Sequence, residues 1–114
     1  MLDRRHSRRG RHVDPAVVFA ALGDATRLSL IGRLSAGTPL SISRLAEGLA
    51  LTRQAVTKHL RVLETAGVVG RQRSGRESLY RLEPARLLAM RSYLDGISQQ
   101  WDEALARLKV FVER

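Results

Sequence analysis

Cysteine is absent from this chain of 114 residues, and its absence excludes disulfide bonds, thiolate metal sites and cysteine nucleophiles. Long apolar runs are absent too: none approaches the roughly 20 residues that cross a bilayer, and no signal-peptide core follows the N-terminus. The residues that are present, 44% hydrophobic and 27% charged, have the composition of one globular domain with one core. We therefore expect a single soluble domain in the cytoplasm.

Sequence patterns for catalysis are missing as well. The chain has no glycine-rich loop of the kind that holds phosphate groups. Beyond residue 12, no set of histidine, carboxylate and hydroxyl groups for nucleophilic chemistry is suggested. These absences predict that the protein is not an enzyme and needs no cofactor.

Acidic residues are few relative to basic ones, with 11 Asp and Glu against 20 Lys and Arg, a net charge of +9. The excess lies in two segments: residues 1–12 carry a net charge of +4 and residues 53–81 carry +5, while 13–52 and 82–114 are each neutral overall. A surface charged for solubility alone would spread its charge. Localised positive charge instead indicates a polyanion partner such as nucleic acid.

The order of predicted elements is typical of a winged helix-turn-helix domain. Residues 1–12 have no periodicity and are predicted to form a disordered basic arm. Residues 13–114 are predicted to form the domain, mainly α with a small β-hairpin, from their apolar spacing, caps and turns. Its elements are a helix ending at Gly23, a helix capped by Asp24, a short helix over about 43–49 capped by Ser41 or Ser43, a recognition helix over 52–66, a wing over 68–82 and a helix over 84–113.

The predicted recognition helix separates its side chains into an apolar face and a basic one. On a helical wheel that advances by 100° per residue, its long polar side chains fall within an arc of about 140°. They are Arg53, Gln54, Thr57, Lys58 and Arg61. A merely solvated face is the alternative, but such a face usually includes Glu for i,i+4 pairs, and the first acid here is Glu64. An acid-free helix start leaves its positive end available for a phosphate.

These side chains are of the types that contact DNA. Gln, Thr and Lys can read base edges in the major groove, so Gln54, Thr57 and Lys58 are assigned to bases. Arg53 and Arg61 are assigned to the phosphate backbone.

The predicted wing carries arginines around its glycine-containing turn. Arg71, Arg73 and Arg76 are expected to reach an adjacent minor groove or phosphate, since arginine fits narrow minor grooves well. A hairpin that only covers the core is the alternative.

The last predicted helix carries an apolar heptad pattern. Leu87, Leu94, Trp101 and Leu108 recur every seven residues, and Met90, Ile97, Ala104 and Phe111 repeat with an offset of three. A helix of thirty residues is about 45 Å long, more than a small domain covers, so the stripe is predicted to pair with a second copy. The first helix is expected to join that interface through Val17, Val18 and Leu22. The alternative is a stripe that packs only on its own domain.

Three stretches of the sequence resemble the ArsR/SmtB family of winged-helix repressors. They are ALGDATRLSLIGRL over 21–34, LAEGLALTRQAVTKHLRVLETAGVV over 45–69 and GRESLYRL over 75–82. The resemblance covers about 100 residues and implies a homodimer that binds operator DNA, a double-stranded and palindromic site, as an autoregulating repressor. A winged-helix module that binds an acidic protein or RNA is the alternative function.

The sequence departs from the metal-sensing members of that family. Where the resemblance places a pair of metal-binding cysteines, this chain has Ser41 and Ser43, and neutral hydroxyls are poor ligands for soft metals. The last helix lacks the histidine of the family's other common site. His59 falls in the apolar arc of the recognition helix, where a packed histidine is more common than a ligand. We therefore expect no metal site and no metal response.

Overall fold

Five helices and three strands make up residues 14–113, the part of the chain that the computed structural model describes. The arm predicted over 1–12 lies outside the described residues. The helices are α1 (Pro15–Leu22), α2 (Ala25–Leu34), α3 (Ile42–Ala46), α4 (Arg53–Thr65) and α5 (Pro84–Glu113), and the strands are β1 (Leu40–Ser41), β2 (Val69–Ser74) and β3 (Glu77–Leu82). This order confirms the predicted winged helix-turn-helix, mainly helical with a small sheet.

The first four helices each begin at a side-chain oxygen that accepts a hydrogen bond from a backbone N–H of the first turn. The caps are Asp14, Asp24, Ser41 and Thr52. Such caps satisfy N–H groups that have no partner within the helix. Ser41 therefore starts α3, which ends at Ala46 rather than near 49 because Glu47 leaves the helical conformation and Gly48 has a positive φ of 76°.

The sheet contains the predicted hairpin and one additional strand. β2 and β3 pair antiparallel from Val69 opposite Leu82 to Ser74 opposite Glu77. A two-residue loop joins them, in which Gly75 has a φ of 63°, a conformation that glycine adopts without steric cost. β1 pairs with the other edge of β3, and this strand was not among the predicted elements.

The core draws residues from every helix and from the sheet. Its members are Val18, Ala21, Leu30, Leu34, Leu45, Val56, Leu60, Leu63, Ala66, Val68, Val69, Tyr80 and Met90. Burying a leucine or valine side chain of this kind stabilises the fold by about 1.5–3 kcal/mol. Val18 is only 1% exposed, which corrects its expected place at a dimer interface, because its own chain already covers it. Leu22 and Leu87 also pack against this core.

The exposed part of α5 extends away from this core. Within α5, Met90 is buried, whereas no residue from Arg91 to Glu113 is. Leu94, Trp101 and Leu108 are 50%, 64% and 56% exposed. A contiguous apolar stripe of this kind marks a contact with another molecule.

Among residues 14–113 no single helix combines the length and apolarity needed to cross a bilayer. α1 and α2 reach that length and apolarity only when they are counted as one segment across a bend of 94°, and both place residues in the core.

Candidate nucleic-acid interface

The basic face of α4 is exposed because the opposite face is fixed in the core. Val56, Leu60 and Leu63 are each 0% exposed. Since successive helix residues rotate by about 100°, burying these three positions determines which side chains face away. Arg53, Gln54, Lys58 and Arg61 are exposed, and Thr57 is half-buried. The helix therefore presents the polar side chains that its sequence pattern predicts.

A groove of about 450 Å³ runs between α4, the start of α3 and the wing. Its lining includes Ser41, Ile42, Ser43, Arg53, Gln54, Thr57, Glu77 and Ser78. The Arg53 guanidinium donates a hydrogen bond to the Ser43 hydroxyl, which links the two helices of the helix-turn-helix. Thr57 Oγ1 donates to the carbonyl oxygen of Arg53 at 2.8 Å, so its hydroxyl oxygen keeps the capacity to accept.

The wing arginines separate into two groups. Arg73 and Arg76 are exposed near the hairpin loop. Arg71 lies opposite the buried Tyr80 in the register, and its Nε is 3.5 Å from Oε2 of Glu64 in α4. The structure therefore places Arg71 against the end of α4, apart from the wing arginines with which its charge and position in the sequence group it.

Arg61 also lies apart from the groove. It lines a different hollow, together with Val17 and Ala20 of α1 and Arg27 of α2. Eight residues separate it from Arg53, a rise of about 12 Å along the helix, and at that level α1 lies beside α4.

Sequence reasoning missed the contribution of α3 and β3 to the groove. Ser41, Ser43 and Ser78 add hydroxyl groups, and Glu77 adds one carboxylate. The pairing of β1 with β3 brings Glu77 and Ser78 of the wing to the start of α3. A two-residue strand shows no alternation that a sequence pattern could reveal.

The two serines at the expected cysteine positions have partners within the fold. Ser41 Oγ accepts from the backbone N–H of Arg44 at 3.3 Å, and Ser43 Oγ accepts from Arg53. Across residues 14–113, no three His, Asp or Glu side chains lie close enough together to hold a metal ion.

Comparison with known proteins agrees with this geometry. A family described as a helix-turn-helix domain matches residues 22–71. The transcriptional regulator Rv2034 of Mycobacterium tuberculosis is 40% identical over 80% of this chain and 81% of its own length. The transcriptional repressor SmtB of the same species is 32% identical over 77% of this chain and 63% of its own length. An ArsR-like transcriptional regulator from Rhodococcus sp. RHA1 superimposes with a TM-score of 0.75 at 39% identity, over 88% of this chain and 93% of that one. This shared sequence and fold show that the chain belongs to the ArsR/SmtB family of DNA-binding winged helix-turn-helix transcriptional regulators.

Proposed function

We propose that this regulator acts in the cytoplasm as a homodimeric repressor of its own gene, bound to a palindromic operator. The observation that carries the proposal is the exposed start of α4, which places Arg53, Gln54 and Thr57 at the groove and is followed by the exposed Lys58. These first two turns of α4 contain no acid. The related SmtB is named a repressor, which supports repression here.

Base readout is assigned to the first two turns of α4. Gln54 has the amide geometry for a bidentate contact with adenine, and Lys58 can donate to guanine O6 and N7. Thr57 lies between them with an accepting oxygen. All three project from the helix start, the end that enters a major groove in helix-turn-helix proteins.

Phosphate contacts are assigned to the arginines around this surface. Arg53 lies at the helix start, and Arg73 and Arg76 lie near the wing loop. Arg61 and Arg71 stay in the predicted set at its edge: both are exposed, Arg61 lines the hollow beside α1, and Arg71 also pairs with Glu64.

Dimerisation is assigned to the exposed apolar stripe of α5. Leu94, Trp101 and Leu108 lie on that stripe with the half-buried Ile97, and Val17 of α1 is 50% exposed. Covering this surface with a second copy removes it from water, which favours association. Two-fold symmetry places two recognition helices about 34 Å apart, one turn of DNA, and this spacing makes the preferred site an inverted repeat.

Selection of bound duplexes from a random DNA library tests the proposal. We expect enrichment of inverted repeats whose half-site centres lie about 10 base pairs apart. The control is the same selection with double-stranded RNA, which is expected to enrich nothing. Enrichment of unrelated DNA sequences, or tighter binding to RNA or to an acidic protein, would contradict it.

Metal ions are expected to leave operator affinity unchanged. Zinc, cadmium and arsenite should each shift the Kd by less than about twofold, because hydroxyls stand at the thiolate positions and are poor ligands for these metals. The measurement is a binding titration of the selected duplex with metal-free and metal-supplemented protein. A Ser41→Cys/Ser43→Cys variant is the matched comparison, and a tenfold shift in the unmodified protein would refute the expectation.

A further inference from the structure

His59 of α4 contacts α2 rather than the DNA-facing groove. Its side chain is 25% exposed, and its Nδ1 lies 3.2 Å from Nη1 of Arg27. A guanidinium only donates hydrogen bonds, so a hydrogen bond at this contact requires the neutral tautomer in which Nδ1 accepts. The sequence pattern predicted a packed histidine, and the packing partner is a charged donor.

The Arg27 side chain also binds the end of α1. Its Nε donates to the carbonyl oxygen of Ala21 at 2.5 Å, and its Nη2 donates to that of Ala20 at 3.5 Å. One guanidinium therefore joins the last turn of α1, the first turn of α2 and the middle of α4. Arginine is suited to this because its donors form a rigid fork.

Asp24 completes the cluster. Its Oδ2 accepts from the backbone N–H of Arg27 at 3.0 Å and lies 3.8 Å from His59 Nδ1. The Arg27 N–H lowers the pKa of the Asp24 carboxyl, and the charge of Arg27 lowers it further, against a rise from desolvation. Asp24 therefore remains ionised throughout the pH range in which histidine side chains ordinarily titrate.

We propose that Arg27 and His59 are positioning residues for operator recognition: neutral His59 holds α4 in its DNA-reading orientation, and protonation of His59 weakens operator binding. This inference rests on the operator-binding function proposed above.

Protonation removes the contact that the geometry shows. A proton on Nδ1 ends its role as acceptor and places an imidazolium 3.2 Å from a guanidinium. Asp24 is the one acid that contacts His59 among the described residues, and its Oδ2 lies 3.8 Å from Nδ1, beyond hydrogen-bond distance, while it caps α2. An imidazolium that closes on this carboxylate therefore has to leave its place beside Arg27.

The other elements packed on α4 offer His59 no compensating charge. α1 has no titratable side chain, α3 contributes Arg44, and β2 contributes Arg71 and Arg73. None of these forms a hydrogen bond or ion pair with His59 in residues 14–113.

The position of His59 in α4 explains how its contact with Arg27 can affect DNA binding. It directly follows Thr57 and Lys58, two residues assigned to base edges. Hydrogen bonds weaken when the donor and acceptor move by a few tenths of an ångström or lose alignment. A small rotation of α4 therefore affects these base contacts together.

The test compares pH profiles in a full-length chain whose other histidines are removed. His6 and His12 are changed to glutamine in every sample, so that His59 is the one imidazole left in the chain. The His59→Gln variant is the matched partner, since its amide oxygen can accept from Arg27 but does not titrate. Affinity for the selected duplex is measured at constant ionic strength from pH 8 to pH 5.5.

We expect the protein with His59 to bind the duplex about tenfold more weakly at pH 5.5 than at pH 8, which is an ordinary size for the coupling between two binding events. The His59→Gln variant is expected to match it at pH 8 and to change by less than about twofold. A His59→Leu variant, which lacks an acceptor, is expected to bind weakly at both pH values. Far-UV circular dichroism is expected to show the same helix content at pH 8 and pH 5.5.

Identical pH profiles for His59 and His59→Gln, or affinity that rises as the pH falls, would overturn the proposal. A loss of helix content at pH 5.5 would also overturn it, because the effect would then be unfolding. Failure of the unmodified chain to prefer any duplex at pH 8 would refute the operator function itself, which separates the two outcomes.

Discussion

Replacing Leu94 and Trp101 with glutamate is expected to produce a folded monomer that binds its operator at least about 100-fold more weakly. Both side chains are half or more exposed within one chain, so the core loses little. In a dimer they would be buried, and an unpaired buried charge is strongly unfavourable. Operator affinity falls because a monomer binds one half-site and lacks the added affinity of two linked DNA-binding domains.

Sedimentation velocity at micromolar concentration measures the oligomeric state, and circular dichroism reports folding. The matched control is Ser92→Glu, an exposed position two residues before Leu94 and therefore on the far side of the helix. This control is expected to remain a dimer. A monomeric wild type, or a double variant that still dimerises, would show that the stripe has another role.

Gln54→Ala is expected to weaken binding to the preferred duplex by about 1–3 kcal/mol and to leave binding to random DNA nearly unchanged. Gln54 is exposed at the groove and is assigned to a base edge.

Arg73→Ala is the matching substitution at the wing. It should weaken binding to both duplexes alike and reduce the salt slope by about 1, because it removes a phosphate contact.

Both variants are titrated with specific and random duplexes over a range of salt. Gln72→Ala, an exposed position next to Arg73 in β2, is the neutral comparison. If Gln54→Ala loses affinity equally on both duplexes, α4 does not read sequence through this residue and the assigned docking is wrong.

The parts of the fold that were predictable depend on short-range rules. Asp24 was identified as a cap because a side-chain oxygen ahead of an apolar helical pattern is a local signal. The hairpin followed from alternation around Ser74 and Gly75, and the exposed face of α4 followed from its period.

The parts that were missed depend on tertiary contacts. β1 exists only because β3 offers it an open edge, and Glu77 and Ser43 share a groove as a result. Val18 has the apolar character of an interface residue, and only the packing of α1 against α2 and α4 shows that its own chain buries it. Arg71 carries the same charge as Arg73, yet only the strand register places it beside Glu64.

Ser41 belongs to two structures at once, and this restricts how DNA specificity can be transferred between relatives. It is the last residue of β1, opposite Leu79 in the wing, and it also caps α3. A chimera that exchanged only the helix-turn-helix would bring a foreign residue to this junction and disturb the wing. A chimera that exchanged only the wing would remove the partner strand that sets the start of α3. The unit that can be transplanted intact is therefore the whole segment 40–82, so that the recognition helix and the wing are moved together.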